Sequence, residues 1–179
     1  MAKKSSIQSF LFIALFAAMT VIGTTLKIPM PTGAFIHLGN TVLLLAVLLL
    51  GYTKGSLAAG LGFMLFDLLN GYLTEAPYFL FESFIVGGFA YGAFLLFKKN
   101  PIKVWHLLVI GGITGIGKLI MTQLKNTVML YLLGSDWSGA FIGASLKLPA
   151  SLINVLSTML IVSMLYFPLK KIFQRYQLE

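Results

Sequence analysis

Apolar positions in this chain do not follow the one-sided periodicity of a surface helix. Residues 42–50, VLLLAVLLL, are apolar throughout, and four further stretches, 7–28, 78–97, 106–133 and the segment from about 140 to 167, are interrupted only by isolated polar side chains. Helices apolar around their circumference belong inside a protein or inside a bilayer. A bilayer core of about 30 Å takes about 20 helical residues, so the pattern predicts about six helices: residues 7–28, 38–50, a third ending near 70, then 78–97, 106–133 and 140–167. The second is short for a full span and is expected to tilt or to borrow length from the preceding segment. Between the helices, KIPMPTGAFI at 27–36 holds two prolines and a glycine and reads as a loop, residues 51–55 as a tight turn, and 71–77, 98–105 and 134–139 as further loops.

Composition removes the soluble alternative. With 58% hydrophobic residues, 10% charged and a mean hydropathy of +0.93, the chain lies well above the roughly 45–50% apolar content of a soluble domain. The reading is an all-α integral membrane protein, one transmembrane domain over residues 1–179. A membrane β-barrel would alternate apolar and polar residues along each strand, and these stretches do not. Lys3 and Lys4 before an apolar run resemble the start of a signal peptide, but the run is too long and leads into more membrane, so it is read as a retained first helix. Without cysteine there are no disulfides or thiolate metal sites.

Charge then orients the bundle. Alternating the spans gathers Lys3, Lys4, Lys54, Lys98, Lys99, Lys103, Lys170, Lys171 and Arg175 on one side and leaves Lys27 alone among the loop cations on the other. The positive-inside rule makes both termini cytoplasmic. The net charge of +8 is explained by that topology and by attraction to anionic lipid headgroups, with no nucleic-acid partner.

The polar residues inside the spans carry the candidate chemistry. On this topology His37, Asn40, Asp67, Asn70, Glu82, Lys125, Asn126, Lys147 and Ser151 fall in the outer half of the bilayer, with Lys118 and Asn154 near its middle. Lys118, Thr122, Lys125 and Asn126 form one stripe at helical spacing, and Lys147, Ser151, Asn154 and Thr158 form another. A charge inside a span costs several kcal/mol unless paired or wetted, so the stripes should face each other. Asp67 and Glu82 pairing with lysines would lower that cost, but pairing alone does not collect groups from several helices at one depth beneath two Pro/Gly-bearing loops. A binding cavity open to the outside does. Tyr78, Phe35 and Trp137 lie near those loops, where aromatic rings serve either as stacking surfaces or as interface anchors.

GITGIGKL at 112–119 imitates a phosphate-binding loop, but Leu119 stands where Ser or Thr would hold magnesium, and no strand precedes it. His37 and His106 lie on opposite sides, which leaves no histidine metal site, and no cofactor is expected. No nucleophile or acid/base arrangement is legible, so an enzyme is not expected.

The stretch from Ile28 to Pro77 resembles the S components of energy-coupling factor (ECF) vitamin transporters, particularly the riboflavin-type group. The likeness rests on IHLGN at 36–40, LLLGYTKGSLAAGLG at 48–62 and FDLLNGY at 66–72, and extends over the first four helices, with the last two matching in outline. The resemblance implies a six-helix bundle with cytoplasmic termini, an outward-facing substrate pocket capped by the loop between helices one and two, and an Ala-x-x-x-Ala motif on helix one that docks the transmembrane coupling subunit. Ala14 and Ala18 match that motif, and small residues four apart allow close helix approach. Asn40 stands where the family often has an acid, and Tyr52 where it often has proline.

The expected function is therefore that of a multi-pass subunit in a bacterial cell membrane, capturing a small water-soluble vitamin or precursor for uptake driven by two separate ATPase subunits. The pocket suits a hydroxymethylpyrimidine or pyridoxine-like compound, or riboflavin. The expected substrate-binding residues are His37, Asn40, Asp67, Asn70, Tyr78, Glu82, Lys118, Lys125, Asn126, Lys147, Ser151 and Asn154. The competing class is a stand-alone proton-coupled carrier in which Asp67, Glu82 and the lysines relay protons.

Overall fold

The computed structural model describes residues 2–177, with side chains over 7–175. Helix α1 (Ala2–Thr25) leads into a hairpin of β1 (Lys27–Pro29) and β2 (Phe35–His37), followed by α2 (Gly39–Leu50), α3 (Tyr52–Leu69), α4 (Ala76–Leu96), α5 (Val104–Leu132), α6 (Trp137–Ser145) and α7 (Leu148–Gln177). The chain is an all-α membrane protein. Helices α1, α4, α5 and the α6–α7 region are long and apolar enough to cross a bilayer by themselves. Large apolar side chains such as Phe10, Leu69 and Phe81 point outward, as a lipid-facing surface requires.

Helix α2 is the axis of the bundle. It packs against α1, α3, α4 and α7, and every residue from 41 to 48 is buried, which accounts for its unbroken apolar sequence. Twelve residues reach only about 18 Å, well short of a bilayer core. The hairpin leads directly into α2, and the Leu38 N–H between them donates to the Gly23 carbonyl of α1 at 2.8 Å.

The loop expected at 27–36 is thus partly strand. Ile28 pairs with Ile36, flanked by Lys27 with His37 and Pro29 with Phe35, and the prolines lie where a two-stranded ribbon needs no donor from them. The expected turn at 51–55 contracts to Gly51, whose φ of +86° reverses the chain, and α3 starts at once. Gly55 makes this possible, since a Cβ there would come within 2.5 Å of the Val47 backbone.

The sixth expected helix is two. Pro149 in the first turn of α7 has no N–H to continue a ladder from α6, and the chain breaks at Leu146 and Lys147. At its far end α7 runs past residue 167, through Pro168, to Gln177. Phe173 holds this extension, buried against Phe12 and Phe16 of α1 with ring centres 4.7 and 5.8 Å away. Lys170, Lys171 and Arg175 therefore sit on a helix instead of a tail. The side chains of Lys3 and Lys4, expected at the same end, lie outside the described residues.

Candidate functional site

The interruptions cluster at one end of the bundle and enclose a cavity of about 430 Å³. Gly33, Ala34, Phe35 and His37 of the hairpin contribute one wall; α3, α4, α5 and the start of α7 supply the others. Phe63, Phe66, Tyr72 and Phe79 add aromatic surface.

Two ion pairs join α5 to the start of α4. Lys118 Nζ lies 2.6 Å from Glu82 Oε2, and Lys125 pairs with Glu75. Both ammonium groups also sit over the Phe79 ring, at 5.4 and 4.5 Å from its centre. The break between α6 and α7 positions the third lysine. Gln123 Nε2 fixes α6 against α5 by donating to the Phe141 carbonyl at 3.0 Å and to Ser145 Oγ at 3.2 Å, and Lys147 then donates to Asn126 Oδ1 at 2.9 Å. Asn126 Nδ2 donates to the Thr122 carbonyl, and Ser151 Oγ to Thr122 Oγ1. The two stripes predicted on α5 and the last long helix do face each other.

Formal charge on the walls is balanced. Of three carboxylates, Asp67, Glu75 and Glu82, and three lysines, Lys118, Lys125 and Lys147, two of each are paired. Asp67 and Lys147 have no ionic partner among the described residues. Asp67 is only 5% exposed, and its Oδ2 has no hydrogen-bond partner among the described residues. A buried acceptor left open costs about 1–3 kcal/mol, so this oxygen is the strongest unmet demand in the cavity. His37 is neutral at this site, because its Nδ1 accepts from the Gly39 N–H at 3.1 Å and its proton must then sit on Nε2.

Nine of the twelve residues singled out from sequence line the cavity: His37, Asp67, Glu82, Lys118, Lys125, Asn126, Lys147, Ser151 and Asn154. The other three do not. Asn40 lies below, beside a space of about 10 Å³ shared with Lys118 and Thr158. Asn70 is exposed and turns back to its own helix, donating to the Phe66 carbonyl at 2.8 Å. Tyr78 stands behind the wall, within hydrogen-bond reach of Glu82 Oε1 at 3.2 Å and of the Met121 carbonyl at 3.1 Å. Trp137 is exposed and packs on Tyr131.

Glu75 was not anticipated. Its signal was available: it stands seven residues before Glu82, two helical turns along the same face. The GITGIGKL segment is interior helix in α5, its Lys118 is committed to Glu82, and Gly111 and Gly115 lie against Met159 and Val155 of α7, where added side chains would clash. Among the described residues no cluster of metal ligands occurs. Away from the cavity, Ala14 and Ala18 both lie on the outward face of α1, while Phe16, Ala17 and Thr20 face the bundle.

Comparison with known proteins agrees with this architecture. No curated protein matches the chain. The model of the family described as "ECF-type riboflavin transporter, S component" matches residues 4–171, nearly the whole chain, and the protein belongs to that family.

Proposed function

We propose that the cavity binds a small, water-soluble vitamin or vitamin precursor built on a flat nitrogen heterocycle, and that the chain hands it to an ECF complex for ATP-driven uptake. The observation that carries this reading is the carboxylate of Asp67, unpaired among the described residues, in a cavity whose only other charge without an ionic partner among those residues is Lys147. A ligand that fits presents a hydrogen-bond donor to Asp67 and an acceptor to Lys147, with its ring against Phe35, Phe63 or Phe79. The volume lies within the roughly 300–1,000 Å³ usual for small-molecule sites. Riboflavin, a hydroxymethylpyrimidine and a pyridoxine-like compound all offer a flat ring with donors and acceptors on its rim. An anionic compound without a donor does not suit Asp67.

In this reading the termini are cytoplasmic and the cavity faces outward. Ala14 and Ala18 dock the coupling subunit, and hydrolysis takes place on two partner ATPases.

The test is to purify the chain in mild detergent, release small molecules by denaturation and identify them by mass spectrometry, with riboflavin titrated in parallel through its own fluorescence. The expected result is a stoichiometric nitrogen heterocycle and no ATP hydrolysis by the isolated chain. Uptake by vesicles holding this chain alone, driven by a proton gradient, would instead establish the stand-alone carrier.

A further inference from the structure

Asn154 is buried on α7, at 4% exposure, and both ends of its amide are engaged by the hairpin. Its Oδ1 accepts the His37 backbone N–H at 2.8 Å, and its Nδ2 donates to the Phe35 carbonyl at 2.9 Å. Successive residues of a strand turn their backbone groups to opposite edges, so Phe35 and His37 present a carbonyl and an amide on one edge while Ile36 serves β1. A carboxamide reproduces the donor and acceptor that a third strand would offer there. The sequence distance is large, 117 and 119 residues, so this single side chain ties the first hairpin of the chain to its last helix.

The neighbours of Asn154 along α7 hold other elements. Lys147 and Ser151 bond α5, and Thr158 meets Thr41 of α2 at 3.3 Å. Among these four residues Asn154 is the one that hydrogen-bonds β2. On its other strand the hairpin has a softer attachment, Lys27 Nζ over the rings of Phe35, Phe66 and Tyr72 at 4.6, 4.7 and 5.6 Å. Cation–π contacts of this kind tolerate sliding, whereas a two-point amide clamp fixes register.

We propose that Asn154 is a latch: a positioning residue that holds the hairpin shut over the cavity and so sets how fast solutes enter and leave. It acts on access and not on the bound molecule, so the proposal stands whichever ligand the cavity takes. The chemistry is selective. Aspartate keeps an acceptor for the His37 N–H but turns a second oxygen toward the Phe35 carbonyl, and alanine keeps neither bond.

The chain has no cysteine, so one introduced at Thr122, in the cavity wall, reports access alone. In the Thr122→Cys background, labelling by a water-soluble charged maleimide should accelerate roughly tenfold or more on Asn154→Ala, from the loss of two hydrogen bonds, and nearly as much on Asn154→Asp. Thr158→Val, one turn along the same helix, should leave the rate unchanged. Hydrogen exchange should then rise in the hairpin amides and stay slow in α2 and α5. Unchanged labelling in both Asn154 variants overturns the latch. So does acceleration accompanied by faster exchange throughout α2 and α5, or an equal acceleration in Thr158→Val, since either makes Asn154 a packing residue.

Discussion

The two ends of this bundle are built from the same helices and handle charge in opposite ways. At the hairpin end, carboxylates, lysines and amides are buried or half-buried and bonded to one another across α4, α5 and the start of α7. At the other end Lys54, Lys98, Lys99, Lys103 and Lys171 are exposed, and Lys99 and Lys170 rest on Tyr91 and Tyr166. Between the two, α2 is sealed by apolar packing. The difference lies in where helices stop. His37 precedes α2, Asp67 is in the last turn of α3, Glu75 adjoins α4, and Lys147 occupies the break before α7. Each interruption removes helix from the bilayer's depth and leaves room into which a polar side chain can turn. A cavity in a membrane helix bundle is here the consequence of helices that end early.

Coupling of α1 to a partner should give the largest effect and should leave the hairpin end untouched. Ala14 and Ala18 lie outward, and close helix approach in lipid depends on such small residues. Ala14→Trp with Ala18→Trp is expected to abolish assembly with the coupling subunit and ATP-driven uptake while riboflavin or the identified ligand binds as before. Pull-down and ligand titration on the same preparation decide it. Lost binding with intact assembly would mean that this face packs the bundle itself.

Next in size is the cost of uncovering a buried charge. Glu82→Ala leaves Lys118 unpaired inside the protein and should destabilise it by about 3 kcal/mol, whereas Lys170→Ala removes an exposed bond to Asn100 and a contact over the Tyr166 ring and should cost under about 1 kcal/mol. Thermal unfolding in detergent compares them. Glu82→Leu combined with Lys118→Leu should recover most of the loss, because no buried charge then remains unmatched. Equal effects at the two ends would erase the contrast between them.

Within the cavity, Asn126→Ala or Lys147→Ala should weaken ligand binding by roughly 1–3 kcal/mol if each group holds the ligand. Because the two side chains bond each other at 2.9 Å, the double variant should cost less than the sum. Isothermal titration of all four proteins gives the coupling. Unchanged affinity in both single variants, with the protein folded, would remove this wall from the ligand's surroundings.

Much of this architecture was legible because it follows from patterns that survive folding. The apolar circumference of α2 and the polar stripes on α5 and α7 are statements about helical period, and helices keep their period. What escaped has a common character. Strands of three residues carry too few positions to show alternation, so the hairpin read as loop. Pro149 sits well inside the expected last helix, in a stretch apolar apart from Ser145 and Lys147, and separates α6 from α7. Pro168 had the opposite effect: the expected helix ended at about 167, just before it, yet packing of Phe173 on α1 accompanies a helix that runs past it. Asn154 is instructive in another way, since an amide side chain reads the same whether it faces a ligand or a backbone, and its bonds to Phe35 and His37 become visible only once β2 is placed.

Asn70 gives the smallest expected effect and the cleanest check on where the cavity ends. The sequence groups it with Asp67 at the end of α3, three residues away on a neighbouring face, yet its side chain donates to the Phe66 carbonyl and its surface is exposed. It satisfies one of the last carbonyls of a helix, a local task that water can take over. Asn70→Ala should therefore leave ligand affinity within about 0.5 kcal/mol and lower stability by no more than about 1 kcal/mol, while Asp67→Asn, which exchanges the open acceptor for an amide, should weaken binding clearly. Titration of the two variants side by side sets the boundary. If Asn70→Ala weakens binding as much as Asp67→Asn, the cavity wall extends past the end of α3, and the helix-terminus role assigned to Asn70 is wrong.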